Sequence, residues 1–460
     1  MSAVNLLSPI LAGGIQNVNF VNGRVLTAAD LTAERTANLQ RQQFLGQSIG
    51  AGVAEGLQVT ISPSSVPFGQ QVVHVAAGLA INLNGDLLQL ASGTDVALTA
   101  APSTTPANSG LFTVCQPPQT QLSNPGVYVF TVLPASGYQG QAPVVQLGSS
   151  GVAQTCTSQY ATAGVQFRLL HLTLDSSSPL QASLISLACQ IQWQLSNNAS
   201  AASVAPQISQ LRNGLAYASF GTEQVNQYAA NPLDFLSGAS SVASYGLLDQ
   251  ARTAKLLTDC EVPLALIYWT TSGIQFVDMW AARRRLTQEA ISRNVPLLDG
   301  DRRVSEAEAM FLQFEDQMQA LLSDPNGPGT IIADKYFFYV PPAGMVPVTG
   351  NGITAVTSSA GLAGFDPATF FGTHASRDIA TTNGNLLRAL FHDALYAEPV
   401  QLINTGEIQL YLVWENLQAV NAGGSGPLAI VYASPALTYR GIARFGTAKW
   451  SLSRFAPRVI

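Results

Sequence analysis

The sequence predicts a multidomain α+β protein, mostly β. Its expected parts are an N-terminal strand-helix element, a β-sandwich or barrel-like domain, a mixed middle region and a C-terminal β-rich domain. Three observations carry that reading. The chain has 460 residues, too many for one core at about 100–200 residues per domain. From Leu57 to about Leu174, short apolar runs alternate with polar residues between Gly, Pro, Ser and Asn clusters, the pattern of half-buried strands in a sandwich or barrel. A long helical pattern, Arg303 to Ser323, ends at Asp324-Pro325-Asn326-Gly327-Pro328-Gly329, which reads as a linker. The segments these signals predict are 1–56, 57–178, 179–323 and 324–460.

The first segment reads strand, turn, helix. Val18-Asn19-Phe20-Val21 precedes Asn22-Gly23, a tight-turn signal. Thr27 is a good N-cap with Asp30 three residues on, close to a capping box. A helix is expected from Ala28 to about Gly46, with Leu31, Leu39 and Leu45 on one narrow buried face.

Strands follow at 57–61, 72–75, 79–83 and 87–90, with a hairpin turn at Asn84-Gly85-Asp86. Further strands are expected at 111–114, 127–133, 144–147 and 165–174. Helices are expected at about 181–196 and 206–218. Two buried strands, 264–269 and 273–276, are joined by Thr270-Thr271-Ser272. In Arg303–Ser323, Ser305 with Glu308 reads as a capping box, and Phe311, Phe314, Met318, Leu321 and Leu322 recur at helical spacing. The last part carries expected strands at 336–340, 401–403, 408–414 and 429–432, and a short helix at 383–396.

Composition narrows the function. Only 10% of residues are charged while 47% are hydrophobic, and mean hydropathy is +0.21. Soluble domains carry about 25% charged residues. Such a surface is made of Ser, Thr, Gln, Asn and backbone, much of it expected to be covered by other copies or other proteins. The net charge of -6 argues against nucleic acid, which needs a basic footprint. Arg283-Arg284-Arg285 is too short to change that and reads as a solvated or salt-bridged patch. The longest dense apolar stretch, Val262 to Trp269, is far short of the roughly 20 residues that span a bilayer. No direct membrane insertion is expected. Met1 to Gly14 has no positive region ahead of its apolar residues and does not read as a secretory signal.

Chemistry-bearing patterns are sparse. Cys115, Cys156, Cys189 and Cys260 form no CxxC, and no histidine completes a zinc pattern. Four idle thiols are expected, with a Cys115–Cys156 disulfide as the alternative. No GxSxG, P-loop or GxGxxG after a strand occurs. His392 and Asp393 are adjacent, poor geometry for a base and its orienting carboxylate. His74, His171 and His374 read as structural or surface residues. Asp30 and Glu34 share a helix face, but a solvated face or a salt bridge to Arg35 or Arg41 explains them. Asp278 with Arg284 reads as a local ion pair. No catalytic residue, cofactor site or metal site is expected.

Several stretches together do resemble a family. Phe20-Val21-Asn22-Gly23-Arg24-Val25-Leu26-Thr27-Ala28-Ala29-Asp30 fits the loose pattern F-x-x-G-x-x-L-T-A-x-D. A helix follows, then the Gly-rich segment 50–59 and a strand pair at 77–81 and 85–88. This resembles an N-terminal signature of baseplate-associated or accessory proteins of contractile injection systems, the relatives of contractile phage tails. Residues 259–264 through Asp278-Met279-Trp280 and Arg285, and residues 336–344, are similar to the same group.

The resemblance implies a virion-component-like structural protein, not an enzyme, at or near the baseplate or spike end. It would act by oligomeric assembly. Its expected partners are copies of itself and other particle proteins: baseplate, spike or sheath-end components. Its expected location is the bacterial cytoplasm during assembly, then the exterior within a released particle. Residues 18–46 are the expected attachment element, with Phe20, Leu26 and Leu31 as apolar anchors and the strand adding to a neighbour's sheet. The alternative is that these residues close the chain's own first domain. A second reading is a receptor-binding fibre or adhesin-like module, marked by a solvent-facing aromatic patch around Tyr411 or Trp414. A third is a hydrolase or toxin-like effector, which needs a pocket of perturbed titratable groups.

Overall fold

The protein is described here by a computed structural model. The structure describes residues 11–62, 71–99, 112, 115, 124–144, 155–220, 246–287, 301–324, 331–346, 367–376, 380–382, 384–395, 397, 399–402, 407–414 and 428–434. The architecture is multidomain α+β, with open antiparallel sheets dominant and no closed barrel among the described residues.

The chain enters through helix α1 (Ala28–Ile49), then strands β1 (Gly52–Gly56), β2 (Val59–Ile61), β3 (Val72–Val75), β4 (Gly78–Ile81), β5 (Leu87–Leu90) and β6 (Thr94–Ala97). These strands form two small sheets, β1-β4-β5 and β2-β3-β6. Two long strands follow, β7 (Gly126–Gln139) and β10 (Tyr160–His171), joined through the short pair β8 (Ala142–Val144) and β9 (Thr155–Thr157). Helices α2 (Pro179–Ser196), α3 (Ala201–Phe220) and α4 (Leu247–Thr253) come next, then strands β11 (Val262–Thr270) and β12 (Gly273–Asp278) and the one-turn helix α5 (Met279–Ala282).

The central sheet has the order β10-β7-β11-β12. Its centre, β11 and residues 127–134 of β7, is buried, so these stretches read as nearly continuous apolar runs. Successive side chains on a strand point to opposite faces. Tyr128, Phe130 and Val132 therefore join Val73, Val75, Ala80 and Leu88 of the small sheets. Val127 and Val129 join Leu184, Leu211, Leu215 and Phe220 of the helices. The result is three layers: small sheets, central sheet, helices.

Helix α6 (Asp301–Ser323) leads to α7 (Ala333–Tyr336), strands β13 (Tyr339–Val340) and β14 (Ala343–Val346), helix α8 (Pro367–Phe371), strand β15 (Ala380–Thr382), helix α9 (Gly384–Ala394), and strands β16 (Val400–Gln401), β17 (Gln409–Trp414) and β18 (Leu428–Ala433). The sheet β14-β18-β17-β15 is likewise covered twice. Leu410 and Tyr432 pack with Phe314 and Met318 of α6. Tyr411 and Val431 pack with Leu390 of α9 on the other face.

Packing crosses two of the segment boundaries drawn from the sequence. Strand β11, beyond residue 178, pairs with β7. Helix α6, before residue 324, supplies Phe314 and Met318 to the C-terminal core. Other expectations need correction. Val18–Val21 is not a strand; the turn at Asn22-Gly23 forms, but among the described residues no strand pairs with it. Ser305 is not an N-cap, because α6 starts four residues earlier and places Ser305 and Glu308 inside the helix. Residue 336 closes a helical turn, and the strand begins at Tyr339. Of the strand expected at 111–114 only Phe112 is described, and it pairs with no strand among the described residues. Residues 145–147 and the loop at 421–427 lie outside the described residues.

Two buried polar clusters tie the layers together. Arg168 of β10 places Nη1 2.9 and 3.0 Å from the two carboxylate oxygens of Glu261, which also accept from Thr131 and Thr258. Arg212 of α3 donates to Asp278 at 2.7 Å and also pairs with Asp316 of α6. Gln313 donates to Asp278, and Gln317 reaches Ser209 and the Tyr336 carbonyl. Burial opposes the Arg212 charge, but Asp278 and Asp316 outweigh it and raise its pKa.

Candidate assembly surface

The element expected to attach the chain to its neighbours is built from the start of α1. Thr27 Oγ1 accepts from the Asp30 amide at 3.2 Å, and Asp30 accepts in return from the Thr27 amide at 2.9 Å. This is a complete capping box. Arg24 pairs with Asp30, and the Val18 amide donates to Glu34 at 3.4 Å. The preceding segment is thereby folded back along the helix start. Hydrogen bonding to Thr27, ahead of the attraction of Arg24, holds the Asp30 carboxyl below its ordinary pKa.

The three predicted anchors are all out in solvent. Phe20 is 58% exposed, Leu26 48% and Leu31 58%. Val21, Val25, Phe44, Leu45 and Ile49 are exposed with them. Leu45 was expected on the buried face of the helix and is exposed instead; Val21, Val25, Phe44 and Ile49 were not among the expected anchors. Along α1 only Ala37 and Gly46 are buried, so the narrow face expected at Leu31, Leu39 and Leu45 is not the docked one.

The helix meets the body near its C-terminal end. A Cβ on Gly46 would sit 2.2 Å from the Gly85 carbonyl oxygen, and one on Gly85, at φ +83°, would sit 2.0 Å from that of Gln43. Glycine is required on both sides of this crossing. Gln43 donates to Asp86 at 2.8 Å, and Gln47 donates to the Asn84 carbonyl.

The remaining chemical candidates are occupied structurally. Asp278 pairs with Arg212, not Arg284, and caps α5 through the Ala281 amide. Arg284 instead stacks over Phe220 and donates to the carbonyls of Trp280, Ala281 and Arg283. Arg285 pairs with Glu308 at 3.0 Å. His74 contacts Asp95 at 2.8 Å on the surface, and His392 lies 3.7 Å from Asp393. Tyr411 is buried. No group of three or more potential metal ligands occurs among the described residues, and no helix among them is long and apolar enough to cross a membrane.

A cavity of about 100 Å³ opens between Gly52, Asn82, Arg252, Glu261, Arg284 and Ser305. No histidine or cysteine lines it, and Glu261 is already bound to Arg168.

The cysteines depart from both sequence expectations. Cys115 bridges to Cys260, 145 residues away, and the pair is buried beside Phe112. Cys156 and Cys189 are free and exposed. No protein-family model matches the chain, and no curated protein sequence does.

Proposed function

We propose that this chain is a structural component of a contractile, phage-tail-like injection particle, seated at or near the baseplate or spike end and acting by assembly with neighbours. The observation that supports this reading is the projecting N-terminal element. Its capping box and its glycine joint fix the geometry, while Phe20, Val25, Leu26 and Leu31 stay exposed. Apolar residues gathered on a locally ordered projection mark an interaction site. The low charge of the chain is consistent with surfaces depleted of charge at interface cores. The buried disulfide fits final residence in an oxidising environment, as in a particle released from the cell. The fibre or adhesin reading gains nothing from Tyr411, which lies in the core.

The test is co-sedimentation. The tagged chain is followed through gentle lysis of its native host and negative-stain microscopy of the heavy fraction. Sheathed rods carrying the tag at one end support the reading. A small species with no rods carrying it overturns the reading. Replacing Phe20 and Leu26 with Ser together should release the chain from the rods without lowering its melting temperature.

A further inference from the structure

We propose that the β-ribbon formed by residues 135–144 and 155–164 is a self-association arm, pairing along its 155–164 edge with the same edge of a second copy of this chain. This rests on the reading of the chain as an assembly component and names the partner.

Strands β7 and β10 pair without interruption from Tyr128–His171 out to Gln139–Tyr160, and β8 with β9 continue the ribbon to Val144–Thr155. Strand β11 covers β7 only from Gly126 to Val132. Beyond that point no third strand pairs with the ribbon among the described residues. Tyr138 and Tyr160 are exposed, and a Cβ at Gly137 or Gly164 would meet nothing within 4 Å. The ribbon therefore runs on past the central sheet, and its 156–164 edge is largely exposed.

Open edges are ordinarily guarded by charge, proline or a covering element. This arm has no charge: no Asp, Glu, Lys or Arg occurs from Val96 to Phe167, although they make up 10% of the chain. Proline guards one edge only, through Pro134 and Pro143 on the β7–β8 side. The opposite edge, Thr-Cys-Thr-Ser-Gln-Tyr-Ala-Thr-Ala-Gly over 155–164, carries neither. The edge is made of two stretches, Thr155–Thr157 and Tyr160–Gly164, separated by a bend at Ser158-Gln159, and the longer gives about 17 Å of unguarded strand.

The chemistry of that edge favours an identical partner. An antiparallel pair related by a two-fold axis satisfies both edges with one sequence. Two copies each bearing a net charge of -6 repel wherever charged faces meet, and the arm is a surface where they do not. A different protein would be selected by complementary charge, and this edge displays none.

The experiment is sedimentation velocity on the purified full chain over a hundredfold concentration range, with and without Thr162→Lys plus Ala163→Lys. Both positions are exposed, so the fold should hold, and an unchanged melt checks it. The expected result is a reversible dimer weakened at least about tenfold by the opposed lysines. A second measurement uses single cysteines at position 158, 160 or 162 in a Cys156→Ser, Cys189→Ser background. Opposed residues about 4.5–5.5 Å apart fall within disulfide reach, so oxidation should link dimers most strongly at one position.

A chain that stays monomeric throughout, or a dimer that neither the lysines weaken nor any cysteine links, overturns the inference. A monomeric chain that nonetheless sediments with sheathed rods overturns the arm alone and leaves the assembly reading intact. A dimer lost with the lysines, in a chain that never joins rods, supports the arm and overturns the particle reading.

Discussion

Helices α1 and α3 have similar lengths, 22 and 20 residues, and opposite fates. Helix α1 buries Ala37 and Gly46 and leaves the rest of its surface wet or half-covered. From Ser209 onward α3 is enclosed on nearly every side. Apolar content alone does not decide this. Small residues let neighbours approach α3: a Cβ on Gly214 would lie 2.5 Å from Leu184. Two of its polar side chains are held inside the fold, Arg212 by two carboxylates and Asn213 through Oδ1, which accepts from the Phe338 and Tyr339 amides. Helix α1 offers Gln, Thr and Arg around its circumference and is held by its cap and one joint. One helix is a keystone of the packing; the other is presented.

Breaking the keystone should cost most. Arg212→Ala leaves Asp278 buried without its cation, and the loss should be about 3–5 kcal/mol, read by equilibrium denaturation. A loss under about 1 kcal/mol would mean that the enclosure of α3 does not depend on that pair.

Gly46→Val attacks the joint of the presented helix. A side chain there collides with the Gly85 backbone, and overpacking of this kind costs about 1–3 kcal/mol. The cost should appear as faster amide exchange and proteolysis in α1, with the main unfolding transition unmoved. A shift of the main transition would show that α1 is part of the core after all.

Thr27→Ala removes half of the capping box and should cost about 1 kcal/mol, confined to the first turns of α1 and visible as lost helicity there. The smallest effect belongs to Glu315 on α6. Burial, only partly offset by the Met345 amide, raises its pKa to about 7 from an ordinary 4.5. Between those values the folded chain keeps a proton that the unfolded chain has released. Stability therefore falls as pH rises through that window and is level above it. Glu315→Gln should flatten the fall, measured as melting temperature against pH.

What the sequence disclosed was local. Thr27 with Asp30 announced the α1 cap, and the strands at 72–75 and 87–90 occur at the residues their alternation indicated. What it withheld depended on distance. Val18–Val21 has a strand's composition, but a strand needs a partner, and none pairs with it among the described residues. Asp278 was matched to nearby Arg284, whereas its cation, Arg212, is 66 residues away. Cys115 meets a cysteine 145 residues on. The start of α6 was misplaced because Ser305 with Glu308 matched the capping-box pattern and drew the boundary away from the helix's actual first residue, Asp301. Of the candidate surface, the anchors Phe20, Leu26 and Leu31 were legible as apolar residues, yet their exposure was not, because alternation and helical spacing look the same whether a face is covered or bare.

The crossing at Gly46 and Gly85 has a mechanical consequence. Twenty-two residues at about 1.5 Å each make α1 about 33 Å long, with the glycine crossing near one end and the folded-back segment carrying Phe20 beside the other. From Gly46 to the helix start is about 27 Å, so a tilt of about 10° at the crossing moves that start by about 5 Å, close to the rise of one helical turn. The two glycines thus set the bearing, and the reach of the chain toward whatever it grips is governed by an angle where two backbones touch.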